Sequence, residues 1–212
     1  AGTRFEELMP ARWMRACPST VRQRSKEGAV RAQQAYAASK DVPWGISESA
    51  YFGRDDLGNY AYQAFGIPQL AIKQDDSDRL VIAPYATVIA LEVDPAAAIK
   101  NLRWMARHGW LASYGFYESA DFSPEVRKSR RQRYELVRSW MVHHQGMSLL
   151  AIGNFLRRGV VREWFHCDAQ VQATELLLQE KPVRTATPAP KPKRRLVTAA
   201  RARMARKPAL AT

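Results

Sequence analysis

Apolar residues recur at helical spacing most clearly between residues 94 and 109, in the stretch DPAAAIKNLRWMARHG. Asp94 is a typical N-cap residue, Pro95 suits the first helical position, and Gly109 suits the position just after a helix. The stripe that this helix would bury consists of Ile99, Leu102, Met105 and Ala106. The pattern therefore predicts a helix that packs on a core through one face.

Further helices are predicted on both sides of this one. Ser19 or Thr20 can cap a helix that runs to about residue 39. Residues 83–93 are apolar nearly all round, which indicates a buried helix. The remaining helical stretches are residues 146–159, closed by Gly159, and residues 169–180. The chain is therefore predicted to be mainly α-helical, with five or six helices.

Two long connections, residues 43–70 and 110–124, are rich in aromatic residues and glycine and show no helical period. Short strands are predicted near residues 70–73 and 115–118. Compact domains rarely keep loops of this length unless the loops bind or react with something. We therefore expect functional residues in these connections.

Composition divides the chain into a body and a tail. The net charge is +13, but residues 183–212 contain nine Lys and Arg and no acidic residue, which leaves the body with a net charge of +4. The tail is rich in alanine and proline, and such a segment buries too little apolar surface to fold. We predict a domain at residues 1–182 and a disordered basic tail at residues 183–212.

Cysteine spacing, the length of the apolar runs and the pattern of basic residues disfavour several protein classes. Cys17 and Cys167 are far apart and fit no metal-binding or redox motif, so two free thiols are expected. No apolar run approaches the ~18 residues of a membrane span. The basic run at residues 127–133 has no interleaved aromatic side chain, so a nucleic-acid groove is not favoured there.

The first candidate site is the stretch PWGISESAY, in which a carboxylate lies among aromatic residues. The residues that share this character are Trp44, Glu48, Tyr51, Phe52, Tyr60 and Tyr62. Aromatic rings match the apolar face of a sugar and carboxylates match its hydroxyl rim, which is typical of a carbohydrate cleft. The alternative is a loop whose aromatic residues pack into the core, and composition does not separate the two.

A second stretch, YGFYESAD, repeats the combination with Tyr114, Glu118 and Asp121. Glycoside chemistry uses a pair of carboxyl groups, one as acid and the other as base or nucleophile. An aromatic surround can also raise the pKa of one carboxyl by desolvation, as a general acid requires. The two stretches together therefore favour a sugar-active site.

A third stretch, MVHHQGMS, offers His143, His144 and Gln145. Adjacent histidines are expected to point in different directions and no HExxH or CxxC motif accompanies them, so no metal site is predicted. At a helix N-terminus these side chains can bind hydroxyl groups or orient a carboxylate. The alternative is that each histidine packs in the core and satisfies a backbone carbonyl.

The order of these stretches resembles the glucoamylase-like region of cyclic β-1,2-glucan synthases. The stretches that carry the resemblance are RFEELMP, PWGISESAY, FGIPQLAIK, VIAPYAT, VDPAAAIKNL, YGFYESADFSP, MVHHQGMSLLAIGNFL and FHCDAQVQATELLLQE. The resemblance covers roughly residues 2–182 and corresponds to the C-terminal part of that region. It implies part of an (α/α)6 toroid, because the complete toroid needs twelve helices.

The resemblance also implies a function. The substrate would be a linear β-1,2-glucan, closed into a ring by transglycosylation or hydrolysed, without a cofactor. Glu48 and Glu118 would be the catalytic carboxyls, facing each other ~5 Å apart if the enzyme retains anomeric configuration. The substrate-binding residues would be Trp44, Tyr51, Tyr85, Tyr114, Asp121, His143, His144 and Gln145. The location would be the cytoplasm, or the cytoplasmic face of the inner membrane as part of a larger synthase.

Two other functions stay open at this point. The chain can be a truncated relative that binds glucan without turning it over. Alternatively, the basic tail can bind a polyanion through its nine cationic side chains. Which of Glu48 and Glu118 is the acid and which the nucleophile also stays open.

Overall fold

The computed structural model describes residues 3–15, 19–71, 79–126, 129 and 133–174. These residues contain seven α-helices and seven short strands. The helices are α1 Arg4–Leu8, α2 Val21–Ser39, α3 Pro84–Val88, α4 Pro95–Arg107, α5 Val142–Leu156, α6 Val160–His166 and α7 Ala169–Thr174. The strands are β1 Ser49–Arg54, β2 Tyr60–Gln63, β3 Val81–Ile82, β4 Leu111–Ala112, β5 Gly115–Phe116, β6 Ser119–Asp121 and β7 Glu135–Val137.

The predicted starts of α2 and α4 are confirmed. The Thr20 hydroxyl accepts from the backbone N–H of Gln23 at 3.2 Å, and the Asp94 carboxylate accepts from the N–H of Ala97 at 3.1 Å. Each contact satisfies one of the backbone donors that a helix leaves unpaired at its N-terminus. Gly109 follows α4 with a φ of +79°, a conformation that glycine adopts without strain.

The buried face of α4 differs from the predicted stripe. The structure buries Ala98, Asn101 and Met105, whereas Ile99 is 37% exposed. Asn101 turns inward because its amide donates to the carbonyl oxygen of Trp44 at 2.7 Å and lies 2.9 Å from the hydroxyl of Thr87. A polar side chain with these partners therefore occupies a position that hydrophobic periodicity assigns to the surface.

Two further boundaries differ from prediction. The helix expected over residues 83–93 is only α3, although the turns that follow it are largely buried. The helix expected from residue 146 begins at Val142, so both His143 and His144 lie in the first turn of α5. Part of the predicted last helix is α7, and its remainder lies outside the described residues. The same holds for the basic tail, Cys17, half of residues 70–73 and most of residues 127–133.

Short antiparallel strands occupy both long connections. Strands β1 and β2 form a hairpin in which Ala50 pairs with Tyr62, and β6 lies between β3 and β7. Strand β1 also packs against β6. Glu48 directly precedes β1 and Glu118 directly precedes β6, so the hairpin and the small sheet bring the two stretches together.

The helices and the small sheet pack around two hydrophobic clusters. One includes Tyr85, Ile89 and Met147 between α3, α4 and α5, and the other surrounds Trp110 and Phe122 beneath the sheet. Of the helices in the described part of the chain, none is both long enough and apolar enough to cross a membrane.

A buried ion cluster joins the N-terminal segment to α6. Glu92 lies 3.0 Å from the guanidinium of Arg12, as an ion pair without an aligned hydrogen bond, and 2.6 Å from that of Arg162. Arg12 is 1% exposed, and burial lowers its pKa while Glu92 raises it. The carboxylate of Glu92 therefore compensates a cation that water cannot reach.

Replacing Glu92 by glutamine is expected to lower the free energy of unfolding by about 3 kcal/mol, because it leaves the Arg12 charge buried without its counter-ion. Urea unfolding followed by circular dichroism measures the change. Glu27→Gln is the matched control, since Glu27 pairs with Arg31 at 3.8 Å on the surface of α2. That control should cost less than about 0.5 kcal/mol, and equal effects of the two changes would contradict the prediction.

Candidate functional site

The irregular segment before β1 is held by close contacts, which place Glu48 next to the first residue of the strand. Gly45 has a φ of +130°, and a Cβ there would lie 2.9 Å from the hydroxyl oxygen of Thr87. Only glycine fits this close approach in that conformation. The side chain of Gln33 fixes the next residue, because its amide donates to the carbonyl of Ile46 at 2.6 Å and accepts from its N–H at 2.9 Å.

Tyr85 on α3 holds the same segment from the other side. Its hydroxyl lies 2.8 Å from the hydroxyl of Ser47 and donates to the carbonyl oxygen of Glu48 at 2.9 Å. Burial raises the pKa of Tyr85, so the hydroxyl remains a donor at neutral pH. The Tyr85 ring also stacks on the imidazole of His144, with centroids 3.7 Å apart and planes 10° apart.

The hydroxyl of Tyr62 contacts three other residues of the candidate site. It donates to Oε1 of Glu48 at 3.0 Å and lies 3.4 Å from Nε2 of both His143 and His144. Partial burial, followed by the hydrogen bond to Glu48, raises the pKa of Tyr62. The phenol therefore keeps its proton and can donate to only one of these three neighbours at a time.

Glu118 lies underneath His144. Both of its carboxylate oxygens are 2.9 Å from Nδ1 of His144, and Oε1 also accepts from the N–H of Ala50 at 3.2 Å. Glu118 is 2% exposed and His144 is 1% exposed. Because a carboxylate can only accept, Nδ1 of His144 donates to it, and in the neutral imidazole the lone pair of Nε2 then points towards Tyr62.

The expectation of two carboxyls that face each other across an open cleft does not hold for Glu118, whose side chain is buried. Glu118 is buried, and a hydrogen-bonded chain through His144 and Tyr62 connects it to the partly exposed Glu48. The imidazole and the phenol thus link the two acidic groups. Glu118 can thus orient His144, but a sugar cannot touch it in this conformation.

The expected divergence of the adjacent histidines is also wrong. The His143 and His144 rings have centroids 4.0 Å apart, because both imidazoles turn Nε2 towards the hydroxyl of Tyr62. Desolvation, and next His144, lower the pKa of His143 and favour its neutral form. One ligand atom from each of Glu48, His143 and His144 lies within 4.8 Å of the others, a separation that a metal ion can bridge.

Three predicted binding residues lie away from this cluster. Trp44 is packed in the hydrophobic cluster that includes Tyr85 and Met147. The ring of Tyr51 makes an edge contact with Phe65, with centroids 5.7 Å apart, and the guanidinium of Arg79 lies 4.4 Å above its face. Asp121 is fully buried and accepts from the backbone N–H groups of Phe52 and Ser123. Trp44 and Asp121 therefore brace the fold rather than offer a surface to a sugar.

The other two predicted binding residues lie beside the N-terminal end of α5. Gln145 donates from its amide to the carbonyl of Phe116 at 3.3 Å, which ties α5 to the β4–β5 hairpin. Tyr114 is 77% exposed and meets the ring of Trp140 edge-on, with centroids 5.3 Å apart. Tyr117 lies on the same indole at 5.1 Å, so an exposed aromatic group flanks the histidines.

Sequence reasoning did not assign a site role to Tyr62 or Trp140. Tyr62 was grouped only with the aromatic residues around Glu48, and its position depends on the hairpin register that sets it opposite Ala50. Trp140 lies just before α5 and outside the motifs that carry carboxylates. The sequence feature that could have assigned Trp140 to the site is its position three residues before His143.

Comparisons with known proteins agree with one another. A family model described as "Putative glucoamylase" matches residues 4–169. The cyclic beta-(1,2)-glucan synthase NdvB of Rhizobium meliloti (strain 1021) is 39% identical over 181 residues, which is 85% of this chain. The chain spans only 6% of the length of that relative.

Solved structures with the same fold are more distant in sequence. The endo-β-1,2-glucanase of Chitinophaga pinensis aligns with a TM-score of 0.60 and 17% identity, over 85% of this chain and 41% of that enzyme. The endo-β-1,2-glucanase of Talaromyces funiculosus aligns with a TM-score of 0.61 and 20% identity, over 84% of this chain and 34% of that enzyme. The prediction of a mainly helical, partial glucoamylase-like toroid is confirmed.

Proposed function

The chain belongs to the glucoamylase-like family that occurs in cyclic β-1,2-glucan synthases, and from this premise we propose that it acts on β-1,2-glucan at the Glu48 cluster. The cluster comprises Glu48, Tyr62, His143, His144 and Glu118. One observation carries the proposal: a partly exposed carboxyl is held by a protonated phenol that is itself in contact with a buried imidazole–carboxylate pair.

This geometry suits cleavage of a glycosidic bond. Such a reaction uses a pair of carboxyl groups, one that gives a proton to the leaving oxygen and one that acts as base or nucleophile, and Glu48 can serve as either. Glu48 is the acidic group of the cluster that a glucan can reach, so we assign it direct contact with the reacting sugar. The glycosyl group then passes to water in hydrolysis, or to a hydroxyl of the same glucan in cyclisation.

The remaining residues of the cluster have supporting roles. Tyr62 orients the carboxyl of Glu48 through its hydrogen bond, and His144 orients Tyr62. Glu118 fixes the tautomer of His144 and is therefore a positioning residue. The exposed ring of Tyr114 and the half-buried rings of Tyr117 and Trp140 supply a platform for the apolar face of a neighbouring glucose unit.

The test is incubation of the chain with linear β-1,2-glucan, followed by chromatography and mass spectrometry of the products. We expect either shorter linear chains from hydrolysis or a ring from cyclisation. The ring is 18 Da lighter than a linear chain with the same number of glucose units, and the reducing-end fragment of the substrate appears beside it as the leaving group. Linear β-1,3-glucan of equal length is the control and should remain intact. Turnover of both glucans would overturn the proposal. A chain that neither turns over nor binds β-1,2-glucan would overturn it as well.

A second candidate is a chain that binds β-1,2-glucan without turning it over. The observation that favours it is that this chain aligns with only 41% of the Chitinophaga enzyme. Calorimetric binding of linear β-1,2-glucan without any product would identify this case. The cytoplasmic location, the larger synthase as partner and polyanion binding by the tail stay predictions.

A further inference from the structure

We propose that Glu48, His143 and His144 form a binding site for a divalent transition-metal ion, with Zn²⁺ and its spectroscopic analogue Co²⁺ as the fitting ions. The binding step stands on geometry alone. Its consequence, that the ion competes with glucan for the same carboxyl, rests on the proposed function.

The donor set matches the chemistry of Zn²⁺. Two imidazole nitrogens and one carboxylate oxygen lie within 4.8 Å of one another, and a His₂Glu set is a common set of protein ligands for this ion. His143 is exposed and Glu48 is partly exposed, so an ion can enter from solvent. His144 lies at the buried end and closes the site.

The position of Tyr62 gives the cluster three contacts of the length that tetrahedral coordination requires. With metal–ligand bonds of about 2.0–2.1 Å, the edges of a ligand tetrahedron are about 3.3 Å long. The Tyr62 oxygen lies 3.0 Å from Glu48 and 3.4 Å from each Nε2, which are edges of this size. The phenol oxygen, or a water in its place, therefore occupies the fourth vertex.

The surroundings of His144 are those of a metal ligand. Metal-binding histidines usually donate their second ring N–H to a carboxylate, which fixes the tautomer and makes the ligating nitrogen more basic. Here Nδ1 donates to Glu118 at 2.9 Å, and the N–H of Ala50 holds that carboxylate in turn. Stacking on Tyr85 at 3.7 Å fixes the plane of the ring.

When His144 is neutral, the hydrogen bonds of the cluster leave one acceptor without a donor. Glu48 accepts the one proton of Tyr62, and the lone pair of His144 Nε2 faces the same hydroxyl. His143 can adopt the tautomer that donates to the phenol oxygen, but His144 cannot, because its N–H is committed to Glu118. A metal ion accepts electron density from every one of these groups at once.

The local charge also favours a cation. The carboxylates of Glu48 and Glu118 both belong to the cluster, and each attracts positive charge. The N-terminus of α5 contributes roughly half a positive charge in opposition. Two carboxylates outweigh that contribution.

Visible absorption of Co²⁺ titrated into the full chain tests the proposal without any need for catalysis. The chain should carry Cys17→Ser and Cys167→Ser, which removes thiolates as competing ligands. We expect the intense bands of four-coordinate Co²⁺, and their loss when Zn²⁺ displaces the ion. His143→Ala should weaken Co²⁺ binding at least 100-fold, and Glu118→Gln about 10–100-fold through the orientation of His144.

His108→Ala is the matched control, because this exposed histidine stacks on Trp104 at the end of α4 and lies outside the cluster. It should leave the Co²⁺ spectrum unchanged. Co²⁺ bands that survive His143→Ala, or that His108→Ala reduces equally, would overturn the site. Six-coordinate Co²⁺ spectra at millimolar ion concentrations would overturn it as well.

The competition step has a separate readout. Zn²⁺ at saturating concentration should raise the Kd of linear β-1,2-glucan at least tenfold in calorimetry, and a chelator should restore it. An unchanged Kd together with the expected Co²⁺ spectrum would overturn the competition and leave the metal site standing. Absence of glucan turnover in the metal-free chain would contradict only the catalytic part of the proposed function.

Discussion

Glu48→Gln should lower the rate of β-1,2-glucan turnover by about 10²–10⁴-fold, the range that a positioned acid or base contributes. The amide keeps the shape of the side chain and can still accept from Tyr62, but it neither gives a proton to the leaving oxygen nor attacks the anomeric carbon. Glu48 is partly exposed and its side chain has a hydrogen bond to Tyr62 alone in the described contacts, so the fold should be unaffected.

The measurement is the initial rate of product formation, with thermal unfolding of the same sample. Glu163→Gln is the matched control, since this exposed glutamate lies on α6 outside the cluster. It should retain the full rate. Unchanged turnover in Glu48→Gln would remove the carboxyl from the reaction, and a large fall in melting temperature would assign it a structural role instead.

Local signals predicted the regular parts of this fold well. The beginnings of α2 and α4 followed from Thr20 and Asp94, because a capping side chain acts on the backbone only three residues away. The buried face of α4 did not follow, since Asn101 finds its partners on α3 and on the segment before β1. Contacts of that kind depend on tertiary packing, which periodicity does not contain.

The candidate site likewise combines residues that local sequence signals identify with residues whose positions depend on tertiary packing. Motif order identified Glu48, His143 and His144, and the structure brings all three together. The depth of Glu118 and the central place of Tyr62 depend on a hairpin register and on the packing of β1 against β6. Neither has a signature in a single stretch of sequence, so the sequence does not distinguish the buried carboxylate of Glu118 from the partly exposed one of Glu48.

Glu118→Gln should change the tautomer of His144. The glutamine oxygen can accept from Ala50, but its NH₂ group then faces Nδ1 of His144, where two donors would meet at about 2.9 Å. The imidazole relieves this conflict by moving its proton to Nε2. His144 then donates to the Tyr62 oxygen instead of presenting a lone pair to it, and the orientation of Glu48 changes with it.

The expected result is a fall in kcat of about 10³-fold or more, since loss of a tautomer-fixing carboxylate costs about 10⁴-fold in the Ser-His-Asp triads of serine proteases. KM should change little, because glucan does not touch Glu118. Nitrogen NMR of the imidazole should show the proton on Nε2 in the variant and on Nδ1 in the parent chain. A structural role alone would lower stability without moving that proton.

Asp121→Asn is the control for removal of a buried carboxylate, because Asp121 also accepts from two backbone N–H groups but contacts no imidazole among its described hydrogen bonds. It should cost stability as Glu118→Gln does and leave the His144 tautomer unchanged. If both variants shifted the tautomer, or neither did, Glu118 would not be the group that orients His144. If Glu118→Gln raised KM and left kcat intact, the buried carboxylate would act on substrate binding and the chain from Glu118 to Glu48 would have no part in the reaction.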